Sequence, residues 1–278
     1  MIWPWRRARL RAGAYLPEHL TDYVLAVTGG GAGLIDGHLW YDRGDTLVLV
    51  GYPLDRNFDA ARLAGVVRRA LVYHRPMYLS LIAPELPALP FEALERGSDR
   101  YFRLDLSASA VNQKTRNMIA RASRELVLSE RRALGPEHRA LITSFLDRAR
   151  ADAAMRGIYE SMPRYVERSG SSLVLDARDA AGRLVAFDVA DIGDGGNAFY
   201  MFNVRSGVTD IPGASDLLMY ELIRRARASE ARYLNLGLGI NGGIEFFKRK
   251  WGGEPFVDHA YGLYSTGGGP VIDRVYAR

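Results

Sequence analysis

Residues 171–206, SSLVLDARDAAGRLVAFDVADIGDGGNAFYMFNVRS, constrain the fold more than any other stretch of the chain. Three apolar-rich runs are separated by two clusters of turn residues, Asp179–Gly182 and Gly193–Gly196. Runs of this length joined by turns this short read as an antiparallel meander of three strands. A loop follows, then a helix over 213–229, GASDLLMYELIRRARAS, with Leu217, Leu218, Glu221, Leu222 and Arg225 at i, i+1, i+4, i+5 and i+8. A strand at 232–238, a short helix near 243–250 and strands to the C-terminus complete this half.

The first half has a similar order. Residues 33–54, GLIDGHLWYDRGDTLVLVGYPL, read as two strands around a turn at Asp42–Asp45. Helical spacing of Phe58, Leu63, Val66, Val67, Ala70 and Leu71 places a helix over 57–74, and PMYLSLIAP (76–84) is a buried strand. After the proline-rich PELPALP comes a further strand at 100–107, then helices at 107–126 and about 136–155, the latter with Pro136 at its first turn. Strands, helix, strands, then helices, meander, helix, strand, helix and strands define an α+β (mixed α/β) class, one architecture used twice. Element order alone carries the duplication, since no residue-level repeat is visible. The expected division is 1–106 and 107–278.

Composition excludes several classes. The chain has no cysteine, so disulfides, thiolate metal sites and a cysteine nucleophile are all absent, which fits the cytoplasm. An apolar fraction of 48% with 25% charged residues fits a soluble globular chain. There is no apolar run long enough for a transmembrane helix, and no secretory signal. The five histidines, His19, His38, His74, His138 and His259, show no ligand spacing, so no metal is expected. TGGGAG (28–33) precedes a strand and reads as a flexible turn rather than a nucleotide loop. A serine-hydrolase elbow is missing. The net charge of +5 favours polyanionic partners.

Three segments carry chemistry. Lys114, Thr115, Arg116, Asn117 and Arg121 open a basic helix, either a solvated face or the wall of an anion site. Gly213, Ala214 and Ser215 begin the 213–229 helix after Pro212, either an ordinary proline–glycine start or a set of N–H groups suited to an anion. In GIEFFKRKWGG (243–253), Ile244, Phe247 and Trp251 form an inward stripe, and Lys248, one turn beyond Ile244, borders it.

In order and spacing these segments resemble the GNAT superfamily, and more closely its aminoacyl-transfer branch. That branch includes Fem-type enzymes, which add amino acids to peptidoglycan precursors, and the C-terminal domain of lysyl-phosphatidylglycerol synthases. NQKTRNMIARASRE is similar to their basic K-x-R-x-x-I segment, IPGASDLLMYELIRRARASEARYLNLG to their helix-then-strand core, and GIEFFKRKWGG to their F-K-x-x-[FW]-G segment. The resemblance covers about residues 33–256, most strongly from 107 onward, and implies two tandem GNAT-like domains, the second more complete. Two departures stand out. VTDIPGAS offers one glycine where CoA-dependent relatives carry R/Q-x-x-G-x-G/A, and Phe246 and Phe247 stand where many place an acidic tyrosine.

The resemblance implies acyl transfer, with aminoacyl-tRNA as donor and a lipid, peptide or small-molecule amine or hydroxyl as acceptor. No metal or further cofactor would be needed. Lys248 would steady the oxyanion, with Asn203, Asn235 and Arg205 lining the site. Arg249 or Lys250 would meet tRNA phosphates, and Lys114, Arg116 and Arg121 would hold other anionic groups. The alternatives are an acyl-CoA-dependent N-acyltransferase and a catalytically silent GNAT-like binding module. Trp3 and Trp5 beside Arg6, Arg7, Arg9 and Arg11 read either as a frayed basic terminus or as a peripheral contact with an anionic membrane.

Overall fold

Two parallel strand pairs, each bridged by a helix, organise the chain. The computed structural model of the protein describes residues 10–108, 111–193 and 195–267. Trp3, Trp5, Arg6, Arg7 and Arg9 lie outside the described residues, while Arg11 pairs with Asp22 at 3.4 Å. The chain divides into two units. One runs up to Phe102 and includes Leu238–Glu245 and the chain from Pro255; the other comprises Arg103–Gly237 and Phe246–Glu254.

The first unit contains α1 (Thr21–Thr28), β1 (Ala32–Ile35), β2 (His38–Arg43), β3 (Thr46–Val50), α2 (Ala60–His74) and β4 (Tyr78–Ala83). Most of β5 (Glu92–Asp105) and of β11 (Glu254–Ser265) also belongs to it, and its strand order is β1-β2-β3-β4-β11-β5. β1, β2 and β3 pair antiparallel, whereas β3 and β4 run parallel with α2 as their crossover. Leu63, Val66, Val67, Ala70 and Leu71 lie on one face of α2, as their 3.6-residue spacing requires. They bury against Leu47, Leu49, Leu79 and Leu81 of the parallel pair. Asp59 starts α2 by accepting a hydrogen bond from the Arg62 N–H.

The second unit opens with α3 (Gln113–Glu125), β6 (Val127–Arg131), α4 (Pro136–Arg148), α5 (Ala153–Glu160) and α6 (Met162–Arg168). The expected meander follows as β7 (Ser172–Arg178), β8 (Leu184–Ile192) and β9 (Asn197–Arg205), then α7 (Ala214–Ala228), β10 (Tyr233–Leu238) up to Gly237, and the part of α8 (Gly242–Lys250) from Phe246 onward. Its strand order is β10-β9-β8-β7-β6. The pairings from β6 to β9 are antiparallel, and β9 and β10 are parallel with α7 crossing between them. Each unit therefore holds antiparallel strands followed by one strand–helix–strand crossover. The mixed α/β class and its duplicated architecture are both present.

Several expectations are corrected. Residues 33–54 form parts of three strands, because Asp36 and Gly37 turn the chain with φ of 47° and 78°. Within the stretch expected to be a flexible turn, Gly30 and Gly31 lie close against Asp42. Gly29 ends α1 in the left-handed region, and a Cβ on Gly30 would lie 1.9 Å from the Asp42 carbonyl oxygen. The strand expected at 100–107 begins at Glu92, and the helix expected from 107 begins after Asn112, whose Oδ1 accepts the Thr115 N–H at 2.8 Å. The helix expected to reach 155 stops at Arg148; Arg150 has φ 50°, and Asp152 then caps α5. A single cut after residue 106 does not describe the units, because β11 pairs along β4 from Ala260↔Ala83 to Ser265↔Tyr78, so these residues belong to the first unit's sheet.

The two crossovers differ in one respect that matters. β3 and β4 stay in register through five pairs to Val50↔Ile82, and the Gly51 N–H extends the ladder to the Ile82 carbonyl at 2.7 Å. A Cβ on Gly51 would lie 2.7 Å from that oxygen and 2.8 Å from the Ala83 Cβ, so glycine is what lets the strands remain closed. Gly51→Ala is expected to destabilise the protein by about 1–3 kcal/mol, read from the urea midpoint.

Candidate active site

β9 and β10 do not stay closed. Their registered pairs run only from Tyr233↔Asn197 to Asn235↔Phe199, although β9 continues to Arg205 and β10 to Leu238. In β9 the register with β8 shifts near Val189/Ala190, a bulge that bends this strand. Beyond Asn235, Gly237 takes φ 74° and its N–H is accepted by Asn235 Oδ1 at 2.7 Å. The carboxyl ends of two parallel strands thus diverge where α7 begins, the place in an α/β crossover where ligands bind.

Lys248 belongs to this divergence. Its residue is 3% exposed, and its Nζ would be 3.9 Å from a Cβ placed on Gly237. Close packing brings it there: Gly253, a glycine because a Cβ would meet Leu236 at 2.6 Å and the Lys248 carbonyl oxygen at 2.8 Å, donates its N–H to that carbonyl. A second tie fixes the end of α8 to the start of α7. Lys250 Nζ donates to both oxygens of Asp216 at 2.6 and 2.8 Å, and Trp251 Nε1 donates to Asp216 Oδ1 at 3.2 Å. Asp216 and Trp251 are both buried, so this clamp holds α8 in place more firmly than a surface pair would.

Beside Asp216, Ser215 Oγ donates to Asn203 Oδ1 at 3.1 Å, and Asn203 Nδ2 donates to Asp188 Oδ1 at 2.6 Å. Asp188 is fully buried, and its Oδ2 has no hydrogen-bond partner. Burial pushes its carboxyl up to about 8, against a smaller lowering effect of the Asn203 hydrogen bond. Two other buried aspartates of the meander are well satisfied. Asp176 accepts from Arg178 at 2.8 Å and bonds His138 Nε2 at 2.8 Å; burial raises its carboxyl, but these partners together hold it below its usual range. Asp191 accepts from the hydroxyls of Tyr165, Ser169 and Ser171.

Lys248 and Asn235 therefore meet at Gly237, Ser215 and Asn203 bond each other at the start of α7, and the Asp216–Lys250 pair links α7 to the helix that carries Lys248. Ala214 is buried, and Gly213 sits with φ 87° where a Cβ would lie 2.8 Å from the Met118 carbonyl oxygen, so its glycine serves the packing of α7 on α3. Lys250 is tied to Asp216, and Arg249 is the exposed cation of that pair. Arg205 is exposed and pairs with Asp210. On α3, Lys114, Arg116 and Arg121 are exposed; Arg116 bonds Gln113 Oε1 at 2.8 Å and the Val111 carbonyl at 2.6 Å, and Arg121 lies 3.8 Å from Glu125. Phe246 is 70% exposed. Sequence reasoning missed Asp188, Asp216 and Gly237. An aspartate in the middle of the apolar run LVAFDVADI was the available sign for the first.

No family model and no curated protein matches the sequence. Solved structures do resemble it. One is the C-terminal domain of a protein assigned as a lysylphosphatidylglycerol synthetase from Agrobacterium fabrum, 13% identical with a TM-score of 0.60, covering 98% of this chain and 94% of that one. FemX is 8% identical with a TM-score of 0.55, over 86% and 90% of the two chains. A tandem GNAT protein from the clavulanic acid biosynthesis pathway is 16% identical with a TM-score of 0.52, over 84% and 79%. The chain has the tandem GNAT-like fold. Within that fold the second crossover is the open one and the first is closed. Among the described residues no helix is long and apolar enough to cross a membrane, and no three His, Cys, Asp or Glu side chains converge as a metal site.

The state of Asp188 gives the site a stability signature. Its folded carboxyl keeps a proton from the ordinary value of 3.8 up to about 8, whereas the unfolded chain sheds it across the lower part of that window. Stability contributed by this group is complete below the ordinary value and falls as pH rises toward 8. Asp188→Asn escapes this loss, so its melting temperature should exceed that of the wild type by a wider margin at pH 9 than at pH 4.

Proposed function

We propose that the chain is an acyltransferase that moves an aminoacyl group from aminoacyl-tRNA to an amine or hydroxyl acceptor. The observation that carries this reading is Lys248, a lysine 3% exposed with its ammonium beside Gly237 where β10 leaves β9. An aminoacyl ester is already activated, so the protein mainly has to align the partners and stabilise the charge that develops. The acceptor's lone pair attacks the ester carbonyl carbon, and the carbonyl π electrons move onto oxygen. Lys248 meets that oxyanion at short range, where partial exclusion of water strengthens its field. Collapse restores the carbonyl and expels the tRNA ribose oxygen, which takes up the proton released by the acceptor. Asn203, Asn235 and Arg205 line the site, Arg249 is placed for tRNA phosphates, and α3 supplies Lys114, Arg116 and Arg121 for further anionic groups.

The relatives in fold lend support, since one is assigned to the synthesis of an aminoacylated lipid. An acyl-CoA donor is less favoured, because the one glycine before α7 is held by packing against Met118 and no run of glycines opens N–H groups toward a pyrophosphate.

Incubation with a mixed pool of labelled aminoacyl-tRNAs and a cell extract tests the reading directly. Label should pass to a new acceptor, and retention of all label on tRNA would reject it. Micromolar binding of acetyl-CoA by calorimetry would move the donor to CoA, and RNA binding without transfer would favour a silent module. Lys248→Ala should lower kcat by roughly 10²–10³-fold with little change in KM, the loss typical of one oxyanion donor. Unaltered turnover would remove Lys248 from that role. Arg116→Gln should weaken tRNA binding and flatten its dependence on salt; an unchanged slope would return α3 to a solvated face.

A further inference from the structure

Among the described buried aspartates of the meander, Asp188 alone has a carboxyl oxygen left without a partner, and it is the one at the open crossover. An uncompensated buried oxygen is costly, so its position under the start of α7 is not explained by stability. What the carboxyl does is orient its neighbours. Asp188 Oδ1 accepts from Asn203 Nδ2 at 2.6 Å, and this bond leaves the other end of the amide, Asn203 Oδ1, to face Ser215. That oxygen in turn takes the Ser215 hydroxyl proton at 3.1 Å. The hydroxyl has one hydrogen, and this bond uses it. Its two lone pairs remain, at the second residue of α7 and one residue before the Asp216 clamp on Lys250 and Trp251. A helix start ordinarily presents N–H donors; here a side chain is arranged to present an acceptor as well.

We propose that Asp188, Asn203 and Ser215 form a polarised relay whose outer end, Ser215 Oγ, accepts a hydrogen bond from the amino group of the aminoacyl donor. Ser215 is a specificity-determining contact, and Asn203 and Asp188 are positioning residues that act through it. The inference rests on the proposed aminoacyl-transfer reading and deepens it. It distinguishes an aminoacyl group from a plain acyl group of the same shape, which offers no N–H at that point.

Alaninamide and propionamide, alike except for the amino group, test the relay by binding alone, so the outcome stands apart from whether label moves from tRNA. Chemical-shift titrations of the full chain should give roughly tenfold tighter binding of alaninamide, the worth of one hydrogen bond to a charged or strongly polar group. Ser215→Ala should bring the two to near parity, and Ser215→Thr, which keeps the hydroxyl, should restore the preference. Asn203→Leu should lose it as Ser215→Ala does, with circular dichroism reporting that the fold is retained; if Asn203→Leu does not fold, the Ala/Thr pair decides. Equal binding of the two amides by the wild type, no binding of either at tens of millimolar, or a preference that survives in Ser215→Ala overturns the proposal.

Discussion

Parallel strands joined by a helix are held together by a ladder of backbone hydrogen bonds, and in this chain one ladder runs to its end while the other stops early. After Asn235↔Phe199 the two strands part, and their polar groups need other partners. Asn235 supplies one, taking the Gly237 N–H on its own side chain. Gly237 turns through the left-handed region, and the Lys248 ammonium lies beside it. The bulge in β9 bends the other side of the gap. Everything proposed about chemistry follows from this interrupted ladder, since a closed sheet leaves no place for a substrate between strand ends.

The first unit provides an internal control. It has the same strand–helix–strand crossover, but Gly51 lets β3 and β4 remain in contact to the end, and leucine and valine of α2 cover them. Duplication of an architecture therefore does not duplicate a site. The polar residues follow this division: Asn203, Asn235, Ser215, Asp188 and Lys248 all fall in the unit with the open crossover. Asp216, buried and bonded to both Lys250 and Trp251, sets how α8 meets α7 and so where Lys248 stands.

Charge reads differently once burial is known. The three cations of the KRK run look alike in sequence, yet Lys248, Arg249 and Lys250 are respectively buried, exposed and clamped to a carboxylate. A helix turns each successive residue by about 100°, so three neighbours face three environments. The same holds for the aspartates of the meander, where Asp176 and Asp191 are surrounded by donors and Asp188 is not.

The sequence by itself determined the meander, the helix after it, the strand at 232–238 and the helix bearing Lys248, because each rests on local periodicity and turn chemistry that neighbouring residues carry. It also marked Lys248 as lying at the edge of an apolar stripe. Tertiary structure decided what periodicity does not encode. It carried β11 back to β4, broke the helix near Arg150, opened one crossover while closing the other, and gave Asp188 and Asp216 their partners. Those outcomes depend on contacts between residues far apart in the chain, and a hydrogen-bond partner 34 residues away leaves no mark in the local pattern.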